Sequence, residues 1–74
     1  MLLTGKQFHM LIETLGIETV DDKPVTTKIP KGALIRVVSG PKPTAPSMVD
    51  VEWNGKLVLM FADDITTRGE EVNE

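Results

Sequence analysis

The pair Asn54-Gly55 constrains the fold more than any other feature of the sequence. It separates two runs of strand length, residues 49–53 and 56–61. Asn-Gly between such runs is the strongest short-range mark of a two-residue hairpin, because both central residues take positive φ. A turn at these residues fixes the pairs on one face, which we expect to meet the core: Trp53 with Lys56, Val51 with Val58, and Val49 with Met60.

The other face of this predicted hairpin is apolar in its second strand. The pairs there are Glu52 with Leu57, Asp50 with Leu59, and Met48 with Phe61. A strand that is apolar on both faces needs cover on both. We expect that cover from strongly bent strands of a barrel, from the N-terminal segment, or from a second copy of the chain. The candidate protein interface is therefore Met48, Leu57, Leu59 and Phe61.

Upstream of the hairpin, β-branched runs alternate with turn signals. Ile29-Pro30-Lys31-Gly32 predicts a turn, and the polar segment 21–24, which ends in proline, predicts another. The strands that these turns separate are residues 17–20, 25–29 and 33–38. Residues 39–47 contain three prolines and a glycine, so we expect an exposed loop.

The first sixteen residues fit two structures. Phe8, Leu11, Ile12 and Leu15 are spaced as on one face of a helix, with Gly16 as an acceptable C-cap. Residues 8–13 also fit a first strand that continues through a bulge at Gly16. The strand is favoured, because the rest of the chain is consistently β.

The last third of the chain predicts a short helix and a closing strand. Residues 62–65 suit a single helical turn that Asp63 or Asp64 caps, and residues 73–74 form a frayed tail. Five or six short strands with regular turn signals indicate an all-β sandwich or small barrel. We expect one domain over residues 1–74.

Composition excludes several ways of holding this domain together. A chain of 74 residues is near the lower limit for independent folding. It contains no cysteine, so disulfides and thiolate metal sites are excluded. The N-terminal apolar run is too short for a signal peptide or a membrane span. We therefore expect a cytoplasmic protein.

The chain resembles the SH3-like small barrels over roughly residues 17–72. The resemblance rests on Ile29-Pro30-Lys31-Gly32, on Trp53-Asn54-Gly55-Lys56, and on Ala62-Asp63-Asp64-Ile65 before the last strand. The chain is also similar to short uncharacterised bacterial proteins with a Val-Asp-Val-x-Trp-x-Gly core. The resemblance implies five to six short antiparallel strands with one helical turn before the last. Peptide-binding SH3 domains use a Tyr- and Trp-rich groove, and this chain has no tyrosine.

No residue pattern points to catalysis. His9 is the only histidine, and no serine or threonine lies in a nucleophile motif that would need it as a base. Asp21-Asp22 and Asp63-Asp64 are pairs of adjacent residues. Such pairs indicate turns and helix caps rather than a catalytic pair of carboxylates. We expect no enzyme activity, no metal and no cofactor.

Charge is distributed unevenly along the chain. The net charge is −3, but residues 1–22, 23–48 and 49–74 carry −3, +5 and −5. Acids and bases of adjacent strands are expected to pair across the sheet. The basic residues of the middle segment are the candidate nucleic-acid contacts: Lys23, Lys28, Lys31, Arg36 and Lys42. No aromatic residue lies among them to stack on bases.

The sequence thus favours a non-catalytic protein-interaction or assembly module. The apolar second face of residues 57–61 suggests a homodimer, and the alternative is a monomer in which residues 1–15 supply the cover. A second candidate function is a weak RNA- or nucleic-acid-associated barrel that uses the basic segment 23–42.

Overall fold

The computed structural model describes residues 3–41, 43 and 46–72. The fold is all-β, with seven antiparallel strands in one open sheet and one short helix. The strands are β1 Gln7–Met10, β2 Thr14–Val20, β3 Lys23–Ile29, β4 Leu34–Ser39, β5 Met48–Trp53, β6 Lys56–Phe61 and β7 Gly69–Val72. The helix, α1, spans Ala62–Arg68 between β6 and β7.

The sheet has the strand order β3-β2-β6-β5-β4-β1-β7. Two hairpins, β2–β3 and β5–β6, lie side by side in it. β4 and β1 extend the sheet from β5, and β7 forms the edge beyond β1. All pairings are antiparallel.

The predicted register of the β5–β6 hairpin is confirmed. Trp53 pairs with Lys56, and every pair from there to Met48 and Phe61 follows without a shift. The turn residues Asn54 and Gly55 have φ of 55° and 74°, as a two-residue turn of this kind requires.

The β2–β3 hairpin has a tighter turn than the sequence predicts. Asp21 and Asp22 alone form it, with φ of 52° and 63°, and Val20 pairs directly with Lys23. Pro24 therefore lies inside β3. Because β3 is an edge strand, the missing amide hydrogen of Pro24 does not interrupt the sheet.

The N-terminal segment forms strands, and the helix alternative is wrong. β1 and β2 are separated by Leu11–Glu13, and Phe8 is buried while Leu11 and Ile12 are exposed. Gly16 lies within β2 in a continuous register with β3, so no bulge forms between these strands. The two strands from this segment raise the number to seven, above the predicted five or six.

The core lies against the inner face of the sheet and includes the predicted face of the hairpin. Buried apolar side chains come from the segment before β1, from β1, β3, β4, β5, β6 and α1, and from the β3–β4 connection; they are Leu3, Phe8, Met10, Ile29, Ala33, Ile35, Val37, Val49, Val51, Val58, Met60 and Ile65. Thr14 is buried among them, and its hydroxyl donates a hydrogen bond to the carbonyl oxygen of Ile12 at 3.1 Å.

The helix α1 is longer than the single turn predicted, and its cap differs. It begins after Phe61, which makes no side-chain capping bond. Asp63 and Asp64 lie in the first turn, so neither is the cap. Negative charge in the first turn still interacts favourably with the helix dipole. Ile65 is the one buried residue of α1.

The predicted loop 39–47 is exposed at its described prolines, although Ser39 still belongs to β4 and Gly40 is half-buried. Pro41, Pro43 and Pro46 are all exposed. Lys42 and the rest of the predicted loop at 44–45 lie outside the described residues, as does the predicted tail at 73–74. Within the described part of the chain, no helix has the length and apolar character needed to cross a membrane.

Candidate interaction surface

The outer face of β2, β5 and β6 carries a contiguous group of apolar side chains. The four predicted interface residues all lie on it, since each points away from the core side of the hairpin. Ile17 of β2 pairs with Leu59, which places Ile17 and its neighbour in alternation, Leu15, on the same face. We call this surface the outer patch: Leu15, Ile17, Met48, Leu57, Leu59 and Phe61.

The chain covers the outer flank of β6 only at its middle. Leu59 and Met48 are half-buried, whereas 62% of Leu57 and 48% of Phe61 are exposed. β2 lies beside β6 and not over it. The described part of the N-terminal segment, residues 3–15, therefore leaves Leu57 and Phe61 exposed.

A single residue pair joins the two hairpins at the outer patch. Ile17 and Leu59 are the one paired position between β2 and β6. Gly16 makes this approach possible, because a Cβ at that position would overlap Val58 Cγ1 and lie 3.3 Å from the carbonyl oxygen of Leu59. The strands diverge on both sides of the pair.

Two grooves follow from this divergence. One, of about 340 Å³, is lined by five members of the outer patch, with Asp64 and Arg68 of α1 at its rim. Asp64 and Arg68 form an ion pair at 3.8 Å. The other, of about 650 Å³, opens beside Leu57 towards Glu18 and Lys56 and is more polar.

The second groove ends at a charged cluster on the hairpin tip. Lys56 Nζ lies 3.5 Å from Glu18 Oε2 and 5.5 Å from the centre of the Trp53 ring. This carboxylate oxygen is buried and accepts no hydrogen bond from the described residues, so the ion pair with Lys56 is what compensates the burial of its charge. The half-buried Trp53 packs against the core, as its predicted face requires, and the cluster ties β2 to the tip of β5–β6.

Charged residues of adjacent strands pair across the sheet, as expected. Arg36 donates to Glu52 at 2.9 Å from β4 to β5, and Lys6 lies 3.6 Å from Glu71. Ser39 donates to Asp50 Oδ2 at 3.0 Å. The β5 margin of the outer patch is thus acidic and held in place.

The candidate nucleic-acid contacts do not form one surface. Arg36 is engaged by Glu52 on β4, and Lys42 lies outside the described residues. Lys23 and Lys28 lie on opposite faces of β3, and Lys31 lies in the turn that follows. Within the described chain these three lysines form no ion pair.

The groups that the sequence offers for catalysis are dispersed. His9 is exposed on β1, between Leu34 of β4 and Glu70 of β7. Asp21 and Asp22 form the β2–β3 turn, at a distance in the sheet order from His9. Among the described residues no group of three or more His, Cys, Asp or Glu side chains could hold a metal ion.

The contribution of β2 to this surface was not predicted from the sequence. Leu15 and Ile17 alternate with Thr14, Gly16 and Glu18, a period-two pattern that indicates a two-faced strand. The helical spacing that Leu15 shares with Phe8 and Leu11 obscured it.

Comparison with known proteins adds no relative from which a role could be transferred. No family model, no curated protein and no solved structure matches the chain. A function for this domain must therefore be argued from its own surface.

Proposed function

We propose that this chain is a non-catalytic, cytoplasmic protein-interaction or assembly module that works as a homodimer through the outer patch. The observation that carries the proposal is the exposure of Leu57 and Phe61 at the two ends of a strand whose other face lies in the core. Contiguous apolar surface of this kind on a small domain marks interaction sites, whereas single exposed apolar residues need no explanation.

Among the described residues, the groups that could take part in catalysis lie apart from one another, which agrees with a binding role. His9 has an acid as its nearest cross-strand neighbour on one side and a leucine on the other. General-base catalysis would need a nucleophile or a polarised water within hydrogen-bond reach of the imidazole. The side chains of the outer patch are all apolar, so they favour burial in an interface and offer no acid, base or nucleophile.

We also infer that the sheet curls as in an SH3-like small barrel. Support comes from the core, because Ile29 of β3 and Met10 of β1, which lie near opposite ends of the strand order, belong to one buried cluster. The helix α1 directly before β7 agrees with the same arrangement. Such barrels host many unrelated functions, so the likeness does not select one.

A lysine at position 61 tests the proposed surface. The variant Phe61→Lys should sediment as one chain of 8.1 kDa at concentrations where the wild type sediments as two, because burying the ammonium group against a partner is costly. The matched control is Leu34→Lys on β4. Leu34 is 47% exposed, close to the 48% of Phe61, but lies outside the outer patch.

The control separates a specific interface from general apolar association. Leu34→Lys should keep the mass of the wild type. A wild-type chain that sediments as a monomer at millimolar concentration would refute the homodimer, and equal dissociation of both variants would refute the assignment of the surface.

Nucleic-acid binding is the second candidate, and the unpaired Lys23, Lys28 and Lys31 favour it. The engaged Arg36 and the lack of a stacking aromatic among these residues weigh against it. We expect the protein to leave a heparin column at low salt, and its retention should not change in Lys31→Gln. Retention that falls steeply with salt, and is reduced in that variant, would favour nucleic acid over the homodimer.

A further inference from the structure

We propose that two copies pack their outer patches face to face, about a two-fold axis that runs along the strands between β2 and β6. This inference rests on the proposed function and adds the arrangement of the partner. In a two-fold interface the same surface is used twice, so it must be complementary to itself. The charges around the outer patch meet that requirement.

The outer face carries opposite charges on its two margins. On β3, Lys28 is paired with Leu15 and therefore points to this face. It forms no ion pair within the described residues. On β5, the outward side chains after Met48 are Asp50, which accepts a hydrogen bond from Ser39, and Glu52, which is paired with Arg36 of β4 on the same face. Apolar side chains of β2 and β6 fill the space between a basic margin and an acidic one.

A two-fold axis along the strands brings these margins together. It places β2 of one copy over β6 of the other, and β3 over β5. Leu15 then meets Phe61 and Ile17 meets Leu59, which joins apolar surface to apolar surface. Lys28 lies over Met48, and its long side chain reaches the neighbouring Asp50 of the opposite copy. The contact is formed twice.

The two edges of the sheet are poorly suited to the alternative, edge-to-edge pairing of copies. β3 lacks one amide hydrogen at Pro24, and pairing with its own copy would bring the two lysines of each strand, Lys23 and Lys28, into one edge contact. β7 is short and carries Glu70 and Glu71, which would repel each other across such a pair. Proline and like charges on edge strands prevent this kind of association.

The size of the face predicts a reversible dimer. Four strands at spacings of about 4.8 Å and five residues at about 3.3 Å each give a face of about 19 by 16 Å. Two such faces bury on the order of 600 Å² in total, which is below the roughly 1,200 Å² of stable interfaces and in the range of weak, transient association. Dissociation on dilution is therefore expected, and charge substitutions should shift it measurably.

Charge reversal at Lys28 tests the arrangement. Lys28→Glu should weaken the dimer about tenfold in sedimentation equilibrium, because two attractions are lost and two repulsions are created. The double variant Lys28→Glu with Asp50→Lys should recover most of the loss. Lys23→Glu is the matched control, since it makes the same charge change on the other face of β3, and it should leave the dimer unchanged.

Cross-linking provides a second readout that does not depend on altered residues. A carbodiimide should join Lys28 to Asp50 between a ¹⁵N-labelled and an unlabelled chain in a mixed sample of the wild type. Unweakened association of Lys28→Glu, or a double variant no tighter than the single one, would overturn the arrangement. The proposed function would then still stand if Phe61→Lys were monomeric; a monomeric wild type would end both.

Discussion

Replacement of Ile65 with alanine is expected to lower the free energy of unfolding by about 2–5 kcal/mol. Ile65 is the one fully buried residue of α1, and the half-buried Ala62 is the other residue of the helix that packs against the core. A helix of this length is not stable alone in water, so its existence depends on those contacts. A chain of this size has a total stability of roughly 4–11 kcal/mol, of which the substitution would remove a large part.

Urea denaturation followed by the fluorescence of Trp53 measures this loss, and far-ultraviolet circular dichroism shows whether α1 is lost first. The control is Thr66→Ala in the same helix. Thr66 is exposed and its hydroxyl donates only to carbonyl oxygens of the preceding turn, so we expect a change within about 0.5 kcal/mol. A loss below about 1 kcal/mol for Ile65→Ala would contradict the anchoring role.

Replacement of Gly16 with alanine is expected to cost about 1–3 kcal/mol, the usual range for an overpacked core. The added methyl group would overlap Val58 Cγ1 and lie 3.3 Å from Met60 Cγ. Val58 is stiff because it is β-branched, and it is buried, so it cannot rotate away freely. The substitution should separate β2 from β6 at their one paired position.

A double-mutant cycle with Val58→Ala isolates this overlap. Removal of the two methyl groups makes room for the alanine at 16, so the double variant should be at least about 1 kcal/mol more stable than the sum of the single losses predicts. Additive losses would mean that Gly16 is required for another reason than its contact with Val58.

The sequence predicted the β5–β6 hairpin because local chemistry alone determines it. Asn54-Gly55 favours positive φ at both positions, and alternation then sets every pair down to Met48. The same chemistry was underestimated at Asp21-Asp22, where aspartate also tolerates positive φ. Pro24 suggested a longer turn, because proline within a sheet is confined to edge strands. That β3 is an edge strand follows from the strand order, which the local sequence does not show.

Strand order is also why β2 was missed as part of the interface. It depends on contacts between residues distant in the chain, such as Ile17 with Leu59. The spacing of the apolar residues from Phe8 to Leu15 fits one face of a helix. Pairing with the other strands favours β1 and β2 instead, and this pairing is not visible in the local sequence. The candidate residues Met48, Leu57, Leu59 and Phe61 were predictable because the hairpin register needs no such information.

The one paired position between β2 and β6 joins two hairpin ribbons, β2–β3 and β5–β6, each with its own continuous register. The ion pair of Glu18 with Lys56 and the burial of Ile29 in the shared core also hold the two ribbons together. A partner that binds the outer patch contacts both ribbons at once and therefore holds them in one relative orientation. Binding at this surface and rigidity of the whole domain are therefore thermodynamically linked.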